Sequence, residues 1–530
     1  MGQPSAAASN AIIYVTYGLF LILGTGIAWK MSKSKGTFLA GNGTQKALPL
    51  AFNFVAADQS VGVLGSAILF SYPELATIAG VQGLVIYALS SSLPLFAFAY
   101  LGPLIRKRCP EGFVLTEWTR QRYGIPCALF LSFMTLVTLF LYMVAELSAI
   151  GQVVGALTGL DGLPVMIVQC AITTIYTSLG GFKISFLTDV VQGVMVVCLI
   201  FIATITIGVK TEIDTSLIKP SGLLEPSTLG WQLLYILPIC ILTNDFFLST
   251  LWLRTFASRT DKDLWIGVTV AVVIICIILT LVGCTGLIAT WSGAFSGDPE
   301  DPNRSISFFL LLNQLPAWVV GIVLVMVVSL STAAFDSIQS AMVSTASNDL
   351  FRNRLNIWYI RAMVVLIMIP TIVIALKAPS ILQIYLISDL VSAAVIPVLV
   401  LGLSDRFFYW WRGFEVVVGG LGGIFTVFLF GTVYYGNAKE GGRLILIEQG
   451  LTSGDWAVFG AFVAAPVGGM LWAFAASFLR IGVQWILAKK RGTRFDALDK
   501  PVPAAESAPV SDSDPESDEA LVSKKTGKFF

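Results

Sequence analysis

Long apolar runs alternate with short polar connections along the whole chain. About thirteen runs are long enough to cross a bilayer, at 11–31, 48–71, 82–105, 126–156, 163–179, 184–209, 229–251, 264–291, 318–345, 357–376, 380–403, 414–436 and 455–487. The pattern predicts an all-α polytopic membrane protein of about 13 transmembrane helices. The second run departs from an ordinary span. It carries Asp58, Gln59 and Ser60, then Gly62 and Gly65, and Pro73 follows just beyond it. Glycine weakens a helix interior, and broken backbone in a membrane is tolerated only around a cavity. A polar, Gly-interrupted hydrophobic segment therefore points to a solute site near the midplane. The competing reading is a packing helix whose glycines admit a neighbour.

Ionisable and amide groups within other runs extend the picture. Asp58, Glu146, Asp189, Asn244, Asp245, Asp336 and Asp389 all fall in apolar runs. Such groups are costly in lipid and mark a pathway or a partner. Glu146 lies deep in its run and reads as functional; Asp189 and Asp245 lie near run ends, where wetting is the plainer expectation. Carboxylates facing one cavity would attract a metal ion or a proton. The ninth run adds many hydroxyls, among them Ser329, Ser331, Thr332, Ser337 and Ser340. Hydroxyl and carbonyl oxygens suit a monovalent cation shedding water, and small residues equally suit close helix packing.

Composition narrows the classes. The 530 residues are 56% hydrophobic and 12% charged, with no histidine. Histidine-ligated metals and histidine bases are excluded. No basic patch suggests nucleic acid, no motif calls for a cofactor, and the seven cysteines show no disulfide framework. One set of loops carries about 17 Lys and Arg against 6 in the other, which places the richer set in the cytoplasm. The N-terminus is then outside and the C-terminus cytoplasmic. Asn303 heads an N-x-S acceptor in an outside loop and is a glycosylation candidate. From about 495 to 530 the chain is rich in Pro, Ala, Ser and acid and predicts a disordered cytoplasmic tail.

The segment Tyr176 to Gln192, with Gly180-Gly181 and then Thr188-Asp189, resembles the signature of the solute:sodium symporter family. Trp252, Arg254 and Ala257 resemble its cytoplasmic W-x-R-x-x-A turn. Ser344 to Phe351, with Asp349, resembles the ending of its eighth core helix. The likeness spans about residues 10–490. Residues 385–403 look most like the urea and polyamine active transporters of fungi and plants.

The resemblance implies a LeuT-like core of two inverted five-helix repeats, 48–209 and 229–403, with broken first and sixth core helices. It implies a first span and loop at 1–47, two added helices at 414–487 and the tail at 495–530. It implies an ion site from the carbonyls of Val61, Leu64 and Val328 and the hydroxyls of Ser331 and Thr332. Asp189 matches the family's cytoplasmic-side carboxylate. The spacing from Thr332 to Asp349 exceeds the commonest family spacing. If the hydroxyl pair shifts towards Thr332 and Ala333, one ligand is lost and proton coupling stands level with sodium. Asn244 stands where a gating tyrosine is expected, so the pocket departs from the sugar type.

The expectation is a non-enzymatic secondary transporter in the plasma membrane, with no cofactor beyond its coupling ion. It would carry a small polar solute, urea or a related nitrogen compound, with Na+ or H+. Gln59, Ser60, Tyr142, Glu146 and Asn244 would bind the solute. Glu146 and Asp389 would matter more for a cationic polyamine. Proline, choline-like or monocarboxylate substrates are the alternatives, and a non-transporting sensor on the same fold is the rival class. Oligomeric state is left open by the sequence.

Overall fold

A computed structural model describes residues 4–31, 43, 45–57, 65–109, 115–180, 194, 197–198, 200–298, 301–351, 356–378, 380–404, 407–448, 450–451, 455–495, 497–498 and 529. Among these the architecture is helical, and the one β feature is an isolated bridge between Gln45 and Ser258. The helices that matter below are α1 (Ala6–Met31), α2 (Ala47–Ala57), α3 (Ile68–Ser92), α4 (Leu95–Arg108), α5 (Leu115–Tyr123), α6 (Ile125–Thr158) and α7 (Gly162–Gly180). They continue with α8 (Thr228–Phe247), α9 (Ser249–Ala257), α10 (Asp261–Trp291), α11 (Ala317–Thr345), α12 (Ile357–Ala375), α13 (Ile381–Val400), α14 (Gly413–Tyr435), α15 (Ala438–Ile445) and α16 (Ala457–Arg491). Nine stretches of the described residues are helical, long and apolar enough to cross a membrane, and three shorter apolar helices accompany them. The molecule is an integral, multi-pass membrane protein.

The boundaries of the second and third runs differ from expectation. The sequence places a connection between 71 and 82, yet helix fills that segment on both sides of a kink within Ile68–Ser92. The true punctuation is Gly80, at φ 61°, ψ −156°. A Cβ there would lie 2.1 Å from the carbonyl oxygen of Leu223, so both conformation and contact demand glycine. The N–H of Val81 donates to the same carbonyl at 2.9 Å. The stretch Ile68–Arg108 is 41 residues long, about 60 Å as helix, twice a bilayer core. Gly80 divides it into the end of one crossing and the start of the next.

Two chain breaks follow the inverted-repeat expectation. The first is at Gly65–Ala67, which form a bend and turn ahead of α3. The second is Leu248, whose extended backbone (φ −75°, ψ 99°) separates α8 from α9. Pro238 within α8 does not end it.

By contact the chain forms two compact units. The first comprises Met1–Val114, Thr135–Asp389 and Gly450–Asp455. In it α10 packs along α2 and α3, and α1 packs on α7 and α11. The second comprises Leu115–Met134, Leu390–Gln449 and Trp456–Phe530. Its centre is the antiparallel pair α14 and α16, which approach through glycines: a Cβ on Gly423 would lie 2.6 Å from the Ala465 carbonyl oxygen. Arg480 and Glu415 form a buried ion pair at 2.6 Å between these helices. Arg122 on α5 donates to the carbonyls of Gly402, Phe408 and Trp411 at 2.8–3.2 Å. Beside it, burial pushes the Tyr123 phenol above its ordinary range, and its hydroxyl donates to the Leu399 carbonyl at 2.6 Å. Most of the tail expected to be disordered lies outside the described residues. Phe529 is described, and its carbonyl accepts the N–H of Phe414 at 2.9 Å.

Candidate functional site

The start of α3 leaves backbone N–H groups without intrahelical acceptors, as every helix start does. Glu146 of α6 supplies the acceptor. Its Oε2 accepts the N–H and the hydroxyl of Ser66, both at 2.9 Å, and its Oε1 accepts the N–H of Ala67 at 3.4 Å. The carboxylate thus sits at the positive end of a helix dipole, inside the bundle and 1% exposed. Gly65 makes the approach possible: a Cβ there would fall 1.9 Å from Glu146 Oε1. The Tyr385 hydroxyl of α13 donates to the same oxygen at 3.5 Å. Among the described residues, no Lys or Arg pairs with Glu146.

One helical turn before Glu146, Tyr142 meets Tyr385 edge-on at 5.1 Å between ring centroids. The Asn244 amide donates to the Tyr142 hydroxyl oxygen and, at 2.6 Å, to Asp389 Oδ1. The Ser388 hydroxyl donates to Asn244 Oδ1 at 3.4 Å. Asn244 is wholly buried four residues before the break at Leu248, and Asp389 is 5% exposed. A polar line therefore runs from the first break to the vicinity of the second: Ser66, Glu146, the two tyrosines, Asn244, Asp389. Two carboxylates joined by phenol and amide groups are acceptors for ammonium or guanidinium groups, and the amide and hydroxyls suit a neutral hydrogen-bonding solute.

The structure brings Tyr142, Glu146 and Asn244 together, three of the five residues expected to bind solute. Gln59 and Ser60 lie outside the described residues, as do Val61, Leu64 and Asp189 of the expected ion site. Val328, Ser331 and Thr332 lie on the buried stretch of α11. Thr332 donates to the Val328 carbonyl at 2.6 Å. Ser331 is engaged by α7: Gln169 Nε2 donates to its hydroxyl at 2.8 Å and its carbonyl at 3.2 Å. Tyr17 of α1 donates to Gln169 Oε1 at 2.8 Å, completing a bridge across three helices. Part of the hydroxyl-rich run therefore serves helix packing. Asp245, expected near a wetted end, is instead fully buried, and the chain continues beyond it into the buried helix α9. Asn303 is exposed on the short turn Pro302–Ile306.

Sequence reasoning missed Ser66, Gln169, Tyr17, Tyr385 and Ser388. Gln169 had a usable signal, being the one amide within the apolar stretch of its run. The tyrosines and serines had none, since both are ordinary in membrane helices.

No family model matches the chain. It is 53% identical over 504 residues to the spermidine transporter DUR31 of Candida albicans, covering 95% of both chains. It is 24% identical to the sodium/pantothenate symporter of Haemophilus influenzae over 75% of this chain and 84% of that one. It is 27% identical to a probable urea active transporter of Schizosaccharomyces pombe over 35% of this chain and 29% of that one. Among solved structures, a Na+-coupled sialic acid symporter in a substrate-bound outward-open state aligns with TM-score 0.67 at 17% identity, over 89% of this chain and 97% of that one. The nucleobase-cation symporter Mhp1 in a closed conformation aligns with TM-score 0.56 at 12% identity, over 88% and 98%. These likenesses show the LeuT-type fold. The relatives are transporters rather than enzymes, and the chain belongs to the solute:sodium symporter family.

Proposed function

We propose that this protein is a cation-coupled importer of polyamines, with Glu146 and Asp389 receiving the solute's ammonium groups. The observation that carries the reading is the Glu146 carboxylate, buried at the first helix break with no described Lys or Arg partner. The spermidine transporter of C. albicans, similar over nearly the full length, supports the same solute class. Tyr142 and Tyr385 offer aromatic faces that favour a cation between the two acids. Asn244 fixes Asp389 and orients Tyr142.

The cation gradient and the membrane potential drive the cycle, and binding selects between its states. A cationic solute at Glu146 adds a contact that exists only when the break and α13 are together, and so biases the two access states. The coupling ion is a monovalent cation, Na+ or H+, held near the first break by Val61, Leu64, Val328, Ser331 and Thr332 and released past Asp189. The membrane potential contributes about 2.3 kcal/mol per charge per 100 mV. The N-terminus and the Asn303 turn face outward in the plasma membrane, where Asn303 is open to glycosylation. The repeats 48–209 and 229–403 form the moving core.

Urea is the second reading, favoured by the amide and hydroxyl groups at Asn244, Ser388 and Tyr142 and by similarity to urea transporters. Uptake of labelled spermidine and urea into transporter-deficient cells, across sodium concentration and pH, tests both. Saturable spermidine uptake against a gradient supports the proposal. Urea uptake without spermidine uptake moves the assignment to the second reading, and proline, choline or acetate uptake alone removes both.

A further inference from the structure

About two turns beyond the first break, α3 carries another acid, Glu74, in the segment between two expected spans. Its side chain is 3% exposed. Oε1 accepts Arg304 Nε at 3.2 Å, and Oε2 is buried with no hydrogen-bond partner. Arg304 sits on the turn Pro302–Ile306, and its side chain is 27% exposed. The following helix, Ser307–Leu312, is anchored on α3 by Phe309 against Phe70, at 4.8 Å between centroids. The pair is therefore unequal. The acid is fixed in a core helix, while the arginine reaches it from a part-exposed loop residue. A buried carboxylate with an unused oxygen has a high cost unless a donor joins it.

We propose that Glu74 is a further ammonium subsite for the transported amine, beyond Glu146 and Asp389, with Arg304 as its resident stand-in cation. Glu74 lies roughly 10 Å along α3 from Ala67, about two turns beyond the helix start that Glu146 of α6 caps. An entering ammonium group displaces Arg304, takes both oxygens of Glu74, and frees the loop from α3. The inference rests on the polyamine reading above.

The test measures spermidine and urea uptake for wild type, Glu74→Gln, Glu74→Asp and Arg304→Gln, each normalised to protein at the cell surface. The subsite requires opposite effects: Glu74→Gln raises the spermidine KM roughly two- to five-fold, and Arg304→Gln lowers it by a similar factor. Glu74→Asp falls between wild type and Glu74→Gln. Shifts of KM in the same direction in Glu74→Gln and Arg304→Gln, or no shift in either, make the pair a structural tether and overturn the subsite. If Glu74→Gln does not reach the surface, Arg304→Gln decides alone: a lowered KM supports the subsite, and an unchanged or raised one overturns it. Absence of spermidine uptake in wild type is the separate failure of the polyamine reading, and the subsite falls with it.

Discussion

Two buried glutamates in this protein start helices in opposite ways. Glu415 lies in the first turn of α14, accepts the N–H of Arg412 at 3.1 Å, and holds Arg480 at 2.6 Å. Its cation is built into the chain, and Arg480 in turn donates to the Trp410 carbonyl at 2.9 Å. Glu146 also accepts N–H groups at a helix start, but from another helix and at a break, and only hydroxyl and amide donors join it. The contrast separates an acid that holds two helices together from an acid arranged to meet a cation that comes and goes. A buried pair broken on one side costs about 3–5 kcal/mol, because a charge is left without compensation.

The comparison breaks most visibly by neutralising each acid in turn. Glu415→Gln leaves Arg480 buried without its counter-charge. The expected loss is about 3–5 kcal/mol of stability, seen as a lower thermal midpoint in detergent and less surface protein, with uptake per molecule retained. Glu146→Gln keeps the size of the side chain, removes the charge and turns one of its two acceptor atoms into a donor. It is expected to lower spermidine uptake per surface molecule by on the order of 10- to 100-fold, the worth of a charge-assisted hydrogen bond at about 1.5–3 kcal/mol. Gly65→Ala asks the same question sterically. Its added carbon meets Glu146 Oε1, so uptake is expected to fall about as far while surface amount changes little.

Asn244→Ala sharpens the account by removing the tie to Asp389 and Tyr142. A loss of roughly 0.5–1.5 kcal/mol, two- to ten-fold in spermidine KM, is expected. A larger fall for urea than for spermidine would favour the second reading. The smallest effect concerns Asp301, whose carboxylate is held below its ordinary value of 3.8 by the Asn303 N–H and the Ser296 hydroxyl. A lowered folded value adds stability above the ordinary range, lost only as pH falls through the lowered value. Asp301 therefore stays ionised near neutrality, and Asp301→Asn is expected to leave the shape of the uptake–pH profile unchanged.

Much of the fold was legible because lipid imposes length and apolarity on every crossing, and each departure stands out. Glu146 and Asn244 were visible for that reason: each is polar in an apolar run. The break near Gly65 was announced by its glycines. What the sequence hid is pairing at a distance. Ser66 and Glu146 are 80 positions apart, and Tyr385 is 239 from Glu146. No local pattern links them. Glu74 escaped attention because the segment around it reads as a connection, whereas the helix continues through Pro73 to Gly80. Ser331 entered the expected ion site through the family resemblance, and its engagement with Gln169, 162 positions away, needed three dimensions.

The central claim is that the acid at the first break receives a cationic solute. The most direct measurement is the current evoked by spermidine in cells expressing wild type, Glu146→Gln and Glu415→Gln, scaled to surface protein. The account predicts a saturable inward current in wild type, its near-complete loss in Glu146→Gln, and its retention per molecule in Glu415→Gln. A wild-type current in Glu146→Gln would contradict it.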